Sequence, residues 1–489
     1  MIEPADPLAK GTLPTAKQAF RDLFIWKQRV VVTNEAGETQ CEWHDPDPIA
    51  NPFKLFAALD LRAWINFFVG FAAWTADAFD FHALSIQTVK LGHYYGRSKT
   101  DITTAITLTL LLRSVGAALF GLPGDKWGRK WPLVCNMIIL GLLQIATIYC
   151  KTFGQFLAVR SLFGLFMGGV YGNAVSMSLE HCPAVSRGLM SAGLSIGVGL
   201  LRICFPESQQ FIEAKKNSSA KAGDPGAFWR DTKKMLREEW RMCVYCVILM
   251  TWFNYFSHTT QDSYTTFMLT QKELSNDGAS RASILMKTGA CVGGTIIGYL
   301  SQFVGRRRAI VCSALAAGAL IPAWILPTTE RGLSVGGFFL QFFVQGAWGV
   351  VPIHLSELSP PAFRSSFSGM TYQLGNMISS PSSQIINAIA ESNFVRAPSG
   401  DRVEAYGPTM GIATAIIAIG LAITTIFGPE KKGRAFEHAV AGVTEDAGIA
   451  KEKDLQFSDE EKGAGMQEER ISTPKSHLHG TTGMTQVKP

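Results

Sequence analysis

The densest chemistry in the chain lies in one apolar stretch, Asn254-Tyr-Phe-Ser257-His258-Thr-Thr260-Gln261-Asp262-Ser-Tyr-Thr-Thr266. On a helix, Asn254, His258, Gln261 and Asp262 fall at i, i+4, i+7 and i+8 and share one face. Polar groups inside a membrane helix are costly and mark functional positions by default. A proton needs a group that titrates in the physiological range. Histidine does so, as does a carboxylate shifted by burial. His258 and Asp262 are therefore a candidate proton-handling pair, with a purely structural hydrogen bond as the alternative.

Arg113 stands in Thr-Leu-Leu-Leu-Arg113-Ser-Val-Gly. A guanidinium at bilayer depth suits bidentate capture of a carboxylate; a structural ion pair is the competing assignment. Asp77 and Asp80, one turn apart, are candidates to pair with it when no anion is bound. Gln373 and Asn376, also one turn apart, offer uncharged amides that recognise a carboxylate or hydroxyl, or that join two helices. Lys287 suits snorkelling or pairing with a carboxylate, and neither it nor His354 is assigned a role.

The elements that hold these residues are membrane spans. The chain has 489 residues, 47% hydrophobic and 17% charged, with a mean hydropathy of +0.15. Runs of about 20 apolar residues, the length of a membrane helix, lie near 62–87, 103–123, 131–150, 154–178, 188–205, 242–270, 282–303, 309–327, 333–355, 366–389 and 408–428. The first span must also serve as the targeting signal, because residues 1–60 are polar and carry no signal peptide. Net charge is +6, and the basic residues sit in short loops, the pattern of the positive-inside rule rather than of a nucleic-acid binder. Cys243 and Cys246, among nine cysteines, form a C-x-x-C that reads as small residues inside a helix. There is no phosphate-binding glycine loop, no metal-ligand cluster and no nucleophile–base set, so an enzyme, a cofactor and ATP-driven transport are not expected.

A repeat organises the spans. Gly121-Leu-Pro-Gly-Asp125-Lys-Trp-Gly128-Arg129-Lys130 recurs as Gly298-Tyr-Leu-Ser-Gln302-Phe-Val-Gly305-Arg306-Arg307. Glu180-His-Cys-Pro183-Ala-Val-Ser-Arg187 recurs as Glu357-Leu-Ser-Pro360-Pro-Ala-Phe-Arg364. The step along the chain from Gly121 to Gly298 equals the step from Glu180 to Glu357. Two motifs at one offset indicate a tandem duplication, an arrangement typical of secondary transporters. At this offset Arg113 corresponds to Ala290 and Asp77 to Asn254. The scaffold itself therefore does not need a charge at position 113. Arg160, Gly164, Gly168 and Gly172 form a small-residue face for close packing.

The first loop pattern resembles the signature of the major facilitator superfamily, and the Glu-Pro-Arg pattern resembles its second recurring loop motif. Both loops are then expected on the cytoplasmic side, with Asp125 positioned to meet a helix N-terminus or a cation. The span beginning at residue 242 fits N-x-x-[ST]-H-x-[ST]-Q-D-x-x-x-T, which resembles the signature of the Jen-type fungal monocarboxylate (lactate):proton symporters. That resemblance covers about residues 60–428. It implies an all-α major facilitator fold of two pseudo-symmetric six-helix bundles and a plasma-membrane, multi-pass protein with both termini cytoplasmic. It implies import of short monocarboxylates such as lactate, pyruvate or acetate with protons. Arg113, Asn254, Ser257, Gln261, Gln373 and Asn376 would receive the anion, and His258, Asp262, Asp77 and Asp80 would carry the proton. Gly121, Asp125, Gly128, Arg129, Glu180, Arg187, Gly305, Arg306, Glu357 and Arg364 would form the gating loops. The partners are the carboxylate, protons and the bilayer, with no nucleic acid.

One departure stands out. After Arg364 two full spans follow, ending near Gly428, whereas a single short run separates Arg187 from Pro206-Glu-Ser. The first half therefore lacks a substantial stretch relative to the second, and the run 188–205 begins like a fifth span and ends like a sixth. The expected division is a tail over 1–60, an incomplete bundle over 61–205, a central loop over 206–241, a second bundle over 242–428 and a disordered tail over 429–489. A dicarboxylate carrier and a non-transporting carboxylate sensor, or inactive truncated paralogue, are the alternatives.

Overall fold

The computed structural model describes residues 13–25, 28–33, 39–44, 88–97, 99–128, 130–180, 227–360 and 363–431, together with Trp64 and Phe68. The expected spans at 62–87 and 188–205 lie almost wholly outside these residues, as do Asp77, Asp80, Arg129, Arg187 and the tail beyond Lys431.

Nine expected spans fall on described residues, and all nine are helical. In the first half these are α3 (Lys99–Trp127), α4 (Lys130–Ile148), and α5 and α6 (Phe153–Met167 and Val170–Glu180), which follow α1 (Ala16–Phe24) and α2 (Thr88–Tyr95). After α7 (Ala227–Glu238) the second half runs through α8 (Trp240–Gln261), α9 (Tyr264–Thr270), α10 (Asn276–Val304), α11 (Arg306–Ala319) and α12 (Ile321–Ile325). It ends with α13 (Glu330–Leu358), α14 (Arg364–Ser379), α15 (Ser382–Ser392) and α16 (Tyr406–Ile426). Among the described residues, six helical stretches are long and apolar enough to cross a bilayer: Thr107–Trp127, Lys130–Ile148, Phe153–Val175, Asn276–Val304, Glu330–Leu358 and Tyr406–Ile426. The spans expected at 154–178, 242–270, 309–327 and 366–389 are each divided into two helices, at Gly168–Gly169, Asp262–Ser263, Leu320 and Ser380–Pro381.

The duplication is written into helix boundaries. Shifting Lys99–Trp127 by the repeat offset gives Asn276–Val304, so α3 and α10 have identical limits and the same 29-residue length. Phe153, the first residue of α5, maps onto Glu330, the first of α13, and the preceding Thr152 and Thr329 both cap their helices with the hydroxyl. Such a cap satisfies an otherwise orphaned backbone N–H. Gly128 and Gly305 close the paired loop motifs with φ of 106° and 102°, a region that only glycine enters cheaply.

Each half holds its long helices backbone to backbone. A Cβ on Gly116 of α3 would stand 1.7 Å from the Leu165 carbonyl oxygen of α5, and one on Gly293 of α10 1.9 Å from Phe342 O of α13. These are again repeat partners. Outward faces are apolar, as with Ile138, Leu142 and Ile145 on α4 and Ile412, Ile416 and Ile423 on α16. In a chain of this hydropathy such faces meet lipid.

The described N-terminal residues include one helix and two strands. Thr15 and Gln18 form a reciprocal capping box at the start of α1, a signature legible in the sequence. Strands β1 (Gln28–Thr33) and β2 (Thr39–His44) pair antiparallel. The central 206–241 segment contains α7, and a short hairpin of β3 (Phe394–Arg396) and β4 (Arg402–Glu404) separates α15 from α16.

Candidate functional site

His258 stands one turn from the end of α8. Its Nδ1 lies 3.0 Å from Asp262 Oδ2, and the same carboxylate oxygen accepts a 2.7 Å hydrogen bond from Ser383 Oγ of α15. His258 Nε2 lies 3.3 Å from Asn376 Oδ1 on α14, while Asn376 Nδ2 donates to Gln373 Oε1 at 3.3 Å. The helix break at Asp262–Ser263 lets the carboxylate turn towards α15 rather than follow its own ladder. Four of the anticipated residues (His258, Asp262, Asn376 and Gln373) thus form one line of hydrogen bonds.

The line has a polarity. With Asn376 Nδ2 committed to Gln373, its carbonyl oxygen faces His258 and accepts from an Nε2–H. Asp262 accepts from an Nδ1–H. Both ring nitrogens donate at once only when the imidazole is protonated; in the neutral ring one of them accepts, so the donor and acceptor roles along the line follow the state of the histidine.

Arg113 stands on α3 of the other half. It is buried, donates to Met167 Sδ, and lies close enough to act electrostatically on His258. Ser114, next along the chain, donates to the Gln373 carbonyl at 2.8 Å. A cation from the first half and amides from the second therefore converge on one histidine, as a site between two rocking halves requires.

The remaining anticipated residues divide. Ser257 Oγ accepts from Gln261 Nε2 at 2.9 Å and from Gln345 Nε2 of α13 at 3.2 Å. The Gln261 carbonyl oxygen accepts from Lys287 Nζ of α10. Asn254 does not join either group; its Nδ2 donates to Met250 O of its own helix at 2.8 Å. Gln345 and Lys287 are not assigned to the site by sequence. The repeat supplies the signal, because their first-half counterparts are Gly168 and Leu110.

About 18 Å along α3 from Arg113, at 1.5 Å per residue, the loop motif closes the two halves. Asp125 accepts from Ser365 N at 3.2 Å and Ser366 N at 2.7 Å, and from the Ser366 hydroxyl. These are the second and third residues of α14, whose N-cap position, Phe363, offers no side-chain acceptor. Asp125 therefore caps a helix of the opposite half, and a carboxylate there also meets the positive end of the helix dipole. Beside it Tyr171 and Tyr372 stack at 4.1 Å, and Gly172 and Gly121 admit the backbone of Ser365 and Ser366 at close range. In the second half Gln302 occupies the position of Asp125 and caps nothing. It accepts from Arg306, whose guanidinium also grips Glu357 through Nε and Nη2, both at 3.1 Å. This pair is fully buried, and removing one partner of such a pair costs about 3–5 kcal/mol. Glu180 ends α6 in the equivalent place, and Arg364 opens α14.

Two family descriptions match the chain: "Major Facilitator Superfamily" over residues 63–206 and "Sugar (and other) transporter" over residues 201–441. It is 30% identical over 434 residues to the "Carboxylic acid transporter protein homolog" of Saccharomyces cerevisiae, covering 78% of this chain and 70% of that one.

The chain belongs to the major facilitator superfamily.

The sialic acid transporter NanX of Escherichia coli is 24% identical over 361 residues, covering 62% of this chain and 82% of that protein. The fold is similar to that of the proton:xylose symporter XylE, with a TM-score of 0.57 at 13% identity over 77% of this chain and 98% of that one. The superfamily's transporters are not enzymes. The alignments also bear on length. The 434 positions shared with the yeast protein take up 78% of 489 residues, about 381, so about 50 positions of the relative have no counterpart here.

Proposed function

We propose that this protein is a proton-coupled importer of short carboxylates, with lactate, pyruvate and acetate as substrates, in the plasma membrane with both termini cytoplasmic. The observation that carries the proposal is the hydrogen-bonded line Asp262–His258–Asn376–Gln373 beside Arg113. The His258–Asp262 pair takes the proton. Arg113 binds the carboxylate, and the Asn376 and Gln373 amides complete its shell. Because the donor and acceptor roles along the line follow the state of His258, proton and anion occupancy are linked through it. The relationship to a yeast protein named as a carboxylic acid transporter homologue supports the substrate class. Asp77 and Asp80 are proposed to exchange with the substrate as partners of Arg113. Asp125 at the loop-motif end and the exposure of Asp262 and Lys287 support an entrance at the other end of the bundle.

A second reading is a non-transporting carboxylate binder. It is favoured by the shortfall of about 50 positions against the yeast relative, which parallels the stretch missing between Arg187 and Pro206. Labelled lactate uptake at acid pH separates the two readings, measured in fungal cells that lack their own carboxylate permeases, with and without an uncoupler, after surface expression is verified. Uncoupler-sensitive uptake supports the symporter. Absence of uptake that is restored by supplying a complete fifth and sixth span assigns the chain as a truncated member. Absence in both rejects the carboxylate assignment.

A further inference from the structure

Helix α1 precedes the membrane spans, yet half of its exposed face is aromatic. Lys17, Phe20, Arg21 and Phe24 fall at i, i+3, i+4 and i+7 and share one face, and all four are exposed. Phe20 is 50% and Phe24 72% accessible, and their rings meet edge to face at 5.2 Å. The opposite side carries Ala19, which is fully buried. Neither the polar line at His258 nor the loop motifs use the aromatic pair.

The helix is pinned where the second half leaves the bilayer. One guanidinium, that of Arg307, donates to Ala19 O of α1 and to Thr425 O and Ile426 O at the end of α16. The outward face of α16, with Ile416, Ile419 and Ile423, continues to the exposed Phe427. The next residue, Gly428, packs on Tyr245 near the start of α8. That helix opens on Trp240, an exposed indole with the Arg241 guanidinium 5.6 Å from its ring centroid. An exposed tryptophan beside a cation at the end of an apolar helix marks the headgroup layer of a bilayer. Phe20 and Phe24, flanked by Lys17 and Arg21, repeat that pairing on α1. A helix with aromatics on one face and basic residues beside them fits the boundary between acyl chains and headgroups. Its cations are drawn to anionic lipid.

We infer that α1 is an interfacial helix: Phe20 and Phe24 enter the acyl boundary of the bilayer, and Lys17 and Arg21 bind anionic lipid headgroups. The inference needs the membrane-spanning second half and is independent of what the protein transports. The full chain is reconstituted in nanodiscs of phosphatidylcholine, with or without phosphatidylserine. Photoreactive benzoylphenylalanine is placed at position 24, and its adducts are identified by mass spectrometry after irradiation. Lipid adducts are expected. Adducts to a second copy of the chain, or an absence of lipid adducts, overturn the inference. Hydrogen exchange in α1 is expected to slow on adding phosphatidylserine, by roughly fivefold for each of the two basic residues. The double variant Lys17→Gln, Arg21→Gln is expected to exchange alike in both lipids while keeping the lipid adduct. Equal exchange of the wild-type chain in the two lipids, or a difference that survives the double substitution, overturns the headgroup assignment.

Discussion

The Asp125 carboxylate accepts both the backbone N–H, at 2.7 Å, and the hydroxyl of Ser366, 241 residues away in the chain. One side chain from the first half thereby caps a helix of the second. Asp125→Ala removes that cap at a cost of about 1–2 kcal/mol. The expected result is a rise of roughly five- to thirty-fold in hydrogen exchange at the Ser365 and Ser366 amides. Exchange at the wild-type rate would show that the cap does not hold the halves together.

Gly116 and Gly293 occupy equivalent points of the two halves, each against a carbonyl less than 2 Å from where a Cβ would sit. Gly116→Ala and Gly293→Ala are expected to destabilise alike, by about 1–3 kcal/mol or more, seen as matched falls in melting temperature. A large loss in one and none in the other would contradict the structural equivalence of α3 and α10.

Asp262 accepts from both His258 and Ser383. An amide in its place keeps the hydrogen bonds but cannot take up a proton. Asp262→Asn is expected to reach the surface, with any remaining lactate uptake indifferent to external pH and to uncoupler. Uptake with the wild-type pH dependence would move the proton elsewhere.

Arg307 and Arg308 hold the C-terminal end of α1 by its carbonyl oxygens. Arg307 Nη2 donates to Ala19 O at 2.8 Å, and Arg308 Nε to Leu23 O at 2.7 Å, with Ile25 O a further acceptor. Both arginines follow Gly305 at the start of α11, whose first two N–H groups donate to Glu430 at 3.0 Å. The N-terminal helix is thus docked on the second loop motif. Arg308→Gln is expected to loosen it, so that trypsin cuts at Arg21 several-fold faster in intact membranes prepared with the motif side exposed. An unchanged rate would mean that Arg308 does not hold α1, leaving Arg307 and the buried Ala19 face to do so.

Much of this was open to the sequence because it is local or periodic. Apolar runs of span length, the constant offset between the paired loop motifs, the glycines at their ends and the shared face of His258 and Asp262 all depend on residues within a few turns, or on counting. The capping box at Thr15 is equally legible, because Thr15 and Gln18 stand three residues apart. Asn254 shows the limit of the helical wheel. It shares the face of His258, but its amide turns back to Met250 O, as short amides in helices often do. The breaks at Leu320 and Ser380 were also not legible, because hydropathy averages over them.

Hydropathy and spacing alone determined that the chain is a duplicated membrane protein and which helix carries its titratable pair. What only the tertiary structure decided is which side chain meets which across helices: Asn376 rather than Asn254 at His258, Lys287 at Gln261, and Ser366 at Asp125. A sequence states the angle of a residue around its own helix. Whether that angle ends on lipid, on a neighbour or in the cleft is set by how the helices pack, and close backbone contacts such as Gly116 to Leu165 fix that packing between segments far apart in the chain.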